Sequence, residues 1–434
     1  MKKILTVNCT SDNGSISKII SDIEKENPGF EYFHCYQIGK KSTDIHEYLV
    51  DSWNMTRIYY GLSRVTGIKY GMGGRPTSRL IGHIKKVNPD LVHIHCPNFY
   101  SISIYKLFHY LKECDIPVLI TNHAEFFYTG NCAHSFECMG FTSGCHHCKR
   151  QFDSVHPYMI NRTHYEWKKM REAFQGAANF MMTVVSPWQA QRIRLSPVIP
   201  ENMPVRVVLN GVDTDVFHLF GQEKGELRKK LGIKEKTKDK FVALQVSSFF
   251  TDEPGNIKGG IFLIKIARML PDIEFVVAGN YSLSERSRLP SNLTLVGNVS
   301  DQDTLAMYYN AADVTVLTSR KETFGMACAE SLCCGTPVAA FKAGGTESIA
   351  LEKYSRFTDF GDVKALADIV QSHKERKVKN PGDDSKAVCD MHIRDDILGY
   401  RSRMSSDAIA AYDRRRMGRE YGNIYESLIY EGTK

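Results

Sequence analysis

At 434 residues, with 42% hydrophobic and 24% charged side chains, the chain is too long for one ordinary domain and has the composition of a globular protein with a substantial core. Its formal charge of +7 is a mild, diffuse excess, which argues against a nucleic-acid-binding protein. No apolar run approaches the length needed to cross a bilayer.

The chain opens with Lys2 and Lys3 followed by Ile4, Leu5, Thr6 and Val7, which reads as a first β-strand rather than an export signal, so a cytoplasmic protein is expected. Further strands are predicted at 32–38, 91–95, 118–121, 180–185 and 205–209, separated by amphipathic stretches such as 15–26, 101–114 and 163–174. A second series follows at 241–246, 274–278, 293–296, 314–317 and 337–341. Short apolar runs without polar alternation, joined by helices, are the pattern of parallel sheets covered on both faces. The expected fold is therefore α/β, with two Rossmann-like, doubly wound domains facing a central cleft, where such sheets take their ligands. The first is placed at 1–197, with a Cys-rich insertion near 129–150, and the second at 198–395. A helical segment at 396–434 is expected to pack back on the first domain.

Arg57, Arg64, Lys69, Arg75, Arg79, Lys85 and Lys86 cluster in the first half. Two readings stay open: a solvated face of ordinary helices, or a peripheral contact with an anionic membrane surface or phosphorylated lipid on the cytoplasmic side.

The strongest chemical signal runs from Ser319 to Glu330, after the strand at 314–317 and into a helix. Glu322 falls in the loop ahead of that helix, and Phe324, Gly325 and Met326 present backbone N–H groups at its start. Glu330 lies further along the helix, on a face able to look into the cleft. Two carboxylates so separated can accept hydrogen bonds from two polyol groups of one extended ligand. A lone Glu pair would more simply be a cap and a surface residue; the flanking Phe-Gly, the small-residue helix and Gly335-Thr336-Pro337-Val338 favour a site.

The loop after Val246 ends Asn256-Ile257-Lys258-Gly259-Gly260, where Lys258 could set a point charge against a diphosphate. Gly14 and Ser15 follow the first strand, and Gly344 and Gly345 follow the strand ending at Phe341; both turns allow close backbone approach beside a helix start. His123, with His95 as a weaker candidate, stands at the carboxyl rim of its strand.

With these motifs in view, the chain resembles the retaining glycosyltransferases of family 4, which have the two-domain GT-B fold. The resemblance rests on the two glutamates with Phe-Gly after the first, within 320–350, and on Asn210-Gly211-Val212-Asp213, and it extends over essentially the whole chain. It implies a catalytic group of Glu322, His123 and Lys258. It also implies a donor-binding set of Gly14, Ser15, Asn210, Phe324, Gly325, Met326, Glu330, Gly344 and Gly345. Glu322 and the backbone at 324–326 would bind the transferred sugar, Glu330 the nucleotide ribose, and His123 the far side of the sugar. The departing phosphate would deprotonate the acceptor, so no cofactor is required for catalysis. Family members usually carry an Arg near the position of Ser248 and an Asp after the rim His; this chain has no Arg there and has Ala124.

Cys132, Cys138, Cys145 and Cys148 are grouped, with Cys145-x-x-Cys148 behind a glycine. The pattern fits a structural zinc held by four thiolates or, equally, reduced thiols without metal. A subgroup of family 4 resembling the colanic-acid-type exopolysaccharide enzymes has a similar Cys-rich insertion, which implies bacterial surface or capsular polysaccharide biosynthesis. The reading is transfer of a sugar from a UDP- or GDP-sugar to a hydroxyl of a glycan or lipid-linked acceptor. Its rivals are a non-catalytic nucleotide-sugar-binding protein and a phosphorylase or epimerase on the same fold.

Overall fold

The computed structural model describes residues 1–11, 14–150, 160–233, 240–283, 289–379, 389–430 and 432, with side chains outside 376–396. The chain divides into two compact units, Met1–Gly211 with Arg415–Lys434, and Val212–Arg414.

The first unit runs β1 (Lys2–Thr10), α1 (Ser15–Glu26), β2 (Phe30–Ile38), β3 (Glu47–Leu49), α2 (Trp53–Thr66), α3 (Gly74–Val87), β4 (Leu91–Ile94), α4 (Ile104–Lys112), β5 (Val118–Asn122), α5 (Phe126–Thr129), a 3-10 turn at Gly140–Ser143, α6 (Thr163–Phe174), β6 (Phe180–Val184), α7 (Pro187–Arg194) and β7 (Val205–Val207). The second runs α8 (Lys224–Lys230), β8 (Phe241–Thr251), α9 (Gly260–Met269), β9 (Ile273–Ser282), β10 (Leu293–Gly297), α10 (Gln302–Ala311), β11 (Val314–Leu317), α11 (Met326–Cys333), β12 (Val338–Phe341), α12 (Gly345–Ile349), β13 (Ser355–Thr358), α13 (Val363–Lys379) and α14 (Cys389–Tyr412). From Arg415 onward, α15 (Arg414–Tyr430) belongs to the first unit again.

Each unit is one parallel sheet. The first has seven strands in the order β3-β2-β1-β4-β5-β6-β7, with every neighbouring pair parallel. The second has six, in the order β10-β9-β8-β11-β12-β13. In both the order reverses beside the first strand of the unit, the switch point of a doubly wound sheet. Successive β1 residues show how both faces are covered: Leu5 and Val7 enter one core with Leu80, Ile94 and Leu107, whereas Ile4 enters another with Met417, Tyr421 and Tyr425 of α15. This is the two Rossmann-like-domain α/β architecture of the GT-B class.

The structure moves the expected boundaries. β7 pairs with β6, so the first unit continues past 197 to Gly211. The helical segment at 396–434 is not one piece. α14 packs on α11 in the second unit, where Arg401 donates to the carbonyl oxygens of Gly335 (3.0 Å) and Asn310 (3.2 Å). Only α15 covers the first sheet. The crossing is pinned within the second unit: the Val212 N–H donates to Tyr412 O (2.6 Å), and the Arg414 guanidinium lies 3.2 Å from Asp213. The Asn-Gly-Val-Asp segment thus sits where the chain first changes unit.

Candidate active site

In the second unit the adjacent strands β8, β11 and β12 all end on one edge of the sheet, and the loop after each brings one part of a cluster. The β8–α9 loop supplies Lys258, the β11–α11 loop Glu322, and the β12–α12 loop Gly344 and Gly345. Carboxyl ends of parallel strands are where open α/β sheets bind ligands.

The loops are tied to one another through the backbone. The Arg320 N–H donates to Ile257 O (2.8 Å), and the Thr318 hydroxyl to Lys258 O (3.0 Å). A Cβ at Gly259, which has φ +67°, would overlap the Thr318 carbonyl oxygen, so glycine is what lets these loops close. On the other side the Glu322 N–H donates to Ala343 O (3.0 Å), and the Gly345 N–H returns to Glu322 O (2.8 Å). The Glu347 carboxylate accepts the N–H groups of Ala343 and Gly344, each at 2.8 Å. The N–H groups of Gly344 and Gly345 are therefore used inside the protein. What these glycines contribute is close approach: a Cβ on Gly345 would overlap the Thr323 carbonyl.

Held in this way, Lys258 Nζ lies 2.6 Å from Glu322 Oε1, with the two side chains 28% and 24% exposed. A carboxylate and an ammonium are thereby paired, yet both can reach solvent. Gly325, at φ +95°, caps α11, and the first hydrogen bond of that helix runs from the Cys328 N–H to Gly325 O (2.9 Å). The N–H groups of Phe324, Gly325 and Met326 precede it and have no partner within the helix. The Phe324 ring is buried edge-on against Tyr412, which anchors the turn. On α11, Glu330 accepts the Tyr309 hydroxyl at 2.9 Å; burial and the Glu330 charge raise that phenol well above its ordinary value, so it remains a donor. The Arg320 guanidinium lies 5.7 Å from the centre of the Phe360 ring.

The first unit holds a separate group. His95 and His123 follow the neighbouring strands β4 and β5, and His95 Nδ1 lies 3.1 Å from His123 Nε2. Burial lowers His95 well below the usual imidazole range and His123 to about 4. At neutral pH both rings are uncharged, and one donates to the other. Beneath them, buried His93 bonds to Tyr425 of α15 and to Thr121, each at 2.7 Å. Gly14, with φ +113°, opens α1 and is exposed with Ser15 at the carboxyl end of β1; Asn13 lies outside the described residues. Asn210 is buried in the last residues of this unit.

The four grouped cysteines form no disulfide. Burial, reinforced by the other three thiols, raises Cys145 to about 12. Cys138 Sγ accepts the Gly140 N–H (3.4 Å), the Cys145 thiol points to Thr129 O, and the Cys145 carbonyl accepts the Thr163 hydroxyl (3.0 Å) at the start of α6. Among the described residues no three His, Cys, Asp or Glu side chains converge as metal ligands.

Sequence reasoning missed Tyr309 and His93, because each acts through a partner remote in sequence, and it missed Glu347, whose partners are the nearby N–H groups of Ala343 and Gly344. It also missed buried Glu166 of α6. One oxygen of that carboxylate accepts the N–H groups of Lys69 (3.1 Å) and Tyr70 (2.9 Å), while the other, also buried, has no hydrogen-bond partner.

Residues 53–216 match the family model described as Glycosyltransferase Family 4, and residues 224–381 the model described as Glycosyl transferases group 1. The D-inositol 3-phosphate glycosyltransferase of Mycolicibacterium smegmatis is 28% identical over 239 residues, 50% of this chain and 52% of that protein. Its counterpart from Streptosporangium roseum is 34% identical over 171 residues, 35% of this chain and 37% of that protein. The chain thus spans about half or less of the length of the curated relatives it matches. Among solved structures, sucrose-phosphate synthase from Thermosynechococcus elongatus superposes with a TM-score of 0.67 at 15% identity, covering 99% of this chain and 100% of that one. Anabaena HepE in complex with UDP and glucose gives 0.62 at 15%, with the same coverage. At such identities the likeness speaks for the fold. Lying consecutively over the two units, the two family models support a glycosyltransferase of family 4.

Proposed function

We propose that the chain transfers a hexose-type unit from a UDP- or GDP-sugar to a hydroxyl of a glycan or lipid-linked acceptor, with retention at the anomeric carbon. The observation that carries the reading is the Lys258–Glu322 pair at 2.6 Å, set beside the N–H groups at the start of α11, which have no partner within that helix. In that arrangement a cation and a carboxylate hold each other until a ligand separates them. The donor diphosphate takes over the ammonium, and a sugar hydroxyl donates to the freed carboxylate. Phe324, Gly325 and Met326 point N–H groups at the same ligand, and Glu330, steadied by Tyr309, accepts from the ribose. We keep for His123 the sugar-contacting role that the family resemblance gave it.

As the bond from the anomeric carbon to the diphosphate lengthens, negative charge builds on the leaving oxygen. Lys258 and the helix-start dipoles stabilise that charge without calling on a divalent metal. The acceptor oxygen bonds to the anomeric carbon and its proton passes to the departing phosphate, so Glu322 binds rather than attacks.

UDP is the first donor base to test, since HepE was solved with UDP and glucose. The Cys-rich pattern points to a surface polysaccharide acceptor, and the names of the curated relatives point to inositol 3-phosphate. A lipid-linked acceptor would place the chain at the cytoplasmic face of a membrane. Hydrolysis of a panel of UDP-, GDP- and ADP-sugars, followed by transfer to lipid-linked sugar and to inositol phosphate, decides among these. Release of free nucleotide from none of the donors would refute the reading, and product formation that requires inorganic phosphate would indicate a phosphorylase.

A further inference from the structure

At the carboxyl rim of the first sheet, the strand register pairs Val7 with Ile94 and Ile94 with Ile120, and the His95 N–H continues the ladder to Val7 O (3.0 Å). Side chains alternate along a strand, so His93, His95 and His123 share one face of the sheet, the face of Ile4, Leu91 and Leu119 that α15 covers. The His95 and His123 rings lie within 15° of coplanar with their centres 5.4 Å apart, while His95 Nδ1 is 3.1 Å from His123 Nε2. The rings therefore meet edge to edge, in the geometry of an in-plane hydrogen bond rather than of stacked faces. His95 is the interior member: it is 1% exposed, and His123 is half-buried. His93 packs against it with ring centres 3.8 Å apart.

Which ring donates follows from the remaining nitrogen of His95. That atom, Nε2, is buried and has no hydrogen-bond partner. Asn8, opposite His95 in the β1 register, gives its Nδ2 to Thr10 O (3.0 Å); its Oδ1 is buried and unpartnered as well, so no bond joins it to His95. With the His95 proton on Nε2, a buried N–H would lack an acceptor, which is rare in folded proteins; on Nδ1 the proton is used. His95 Nδ1–H therefore donates and His123 Nε2 accepts. Burial keeps both rings uncharged at neutral pH. A neutral imidazole that accepts on one nitrogen bears its proton on the other. We propose that His95 is a positioning residue for sugar transfer: it holds His123 in the Nδ1–H form, so that His123 meets the donor sugar as a hydrogen-bond donor and not as an acceptor or general base. The role rests on the sugar contact proposed for His123, and His95 acts only through that ring.

The tautomer can be read on the unsubstituted full chain, by long-range proton–nitrogen correlation spectroscopy with isotope-labelled histidine, the His123 signals being those lost in His123→Asn. A protonated Nδ1 and a bare Nε2 are expected, and the reverse assignment overturns the proposal. Kinetics separate positioning from packing. His95→Leu removes the donor and frees His123 to change tautomer, so kcat/KM for the donor selected by the hydrolysis panel should fall roughly tenfold, with the dissociation constant of the matching nucleoside diphosphate unchanged. His95→Asn sets an amide N–H near the place of Nδ1 and should recover kcat/KM to within about threefold of wild type. Equal losses in the two variants, in step with their melting temperatures, would mark a purely structural histidine and overturn the proposal, as would wild-type kcat/KM in His95→Leu. Wild-type turnover in His123→Ala would remove the sugar contact and overturn both readings, whereas a loss there with none in His95→Leu overturns this one alone.

Discussion

Replacing Glu322 by Gln keeps the volume of the side chain and removes its charge, which separates what this carboxylate does for the fold from what it does for a ligand. At 2.6 Å the attraction to Lys258 is about 6 kcal/mol at an effective dielectric constant of 20 and about 1.6 kcal/mol in bulk water. Both side chains are about a quarter exposed, and desolvating two charges cancels most of that attraction. The net loss of folding free energy should be about 1 kcal/mol, a fall of roughly 2–4 °C in melting temperature for a unit of this size. If the carboxylate grips the transferred sugar, losing one preorganised charged group should cost the transition state about 3 kcal/mol, or roughly 100-fold in kcat/KM. Thermal unfolding and continuous detection of released nucleoside diphosphate measure the two effects on one preparation. A drop in kcat/KM of threefold or less with the melting temperature preserved would refute the assignment of Glu322. A collapse of the fold would show the pair to be structural.

Two further outcomes follow from geometry and from burial. Gly345→Ala places a Cβ against the Thr323 carbonyl and 2.7 Å from the Phe324 nitrogen, both backbone atoms that cannot rotate aside. It should cost about 1–3 kcal/mol in stability and should weaken donor binding more than stability, because the turn displaced is the one bearing Glu322 and the α11 N–H groups; an unaltered donor dissociation constant would contradict this. Burial raises the Glu166 carboxyl to about 7 from an ordinary 4.5, so the folded chain holds that proton more tightly than the unfolded chain does. The stability so gained is complete below pH 4.5 and is lost as pH rises toward 7. Glu166→Gln should therefore gain on wild type between pH 5 and pH 8, by about 3 kcal/mol at most, and a stability difference independent of pH would count against a buried, protonated Glu166.

The fold was legible because strands buried on both faces announce themselves as unbroken apolar runs, and most of the core strands read as such. The two short edge strands did not: Glu47–Leu49 and Ser355–Thr358 pair on one side only and carry too few apolar residues to form a run. The sequence reading set the boundary at 197 although it grouped the strand at 205–209 with the first series; pairing of β7 with β6 carries the first unit to Gly211. The α14–α15 region reads as uniform helical sequence, and only the buried Met417, Tyr421 and Tyr425 distinguish the helix that returns to the first sheet from the one that does not. At the site, Lys258 and Glu322 were found separately by their loops, but that they touch was not, since 64 residues separate them and tertiary closure alone brings them together. The cysteine spacing left a structural zinc and reduced thiols equally open, since spacing does not fix where thiols point.

Calorimetric titration of UDP and of a UDP-sugar from the hydrolysis panel into wild type, Lys258→Met and Glu322→Gln bears most directly on the paired cation and carboxylate. The account expects Lys258→Met to weaken both ligands alike, through the diphosphate they share, and Glu322→Gln to leave UDP binding intact while erasing the additional affinity contributed by the sugar. Equal binding of both ligands by all three proteins would contradict it.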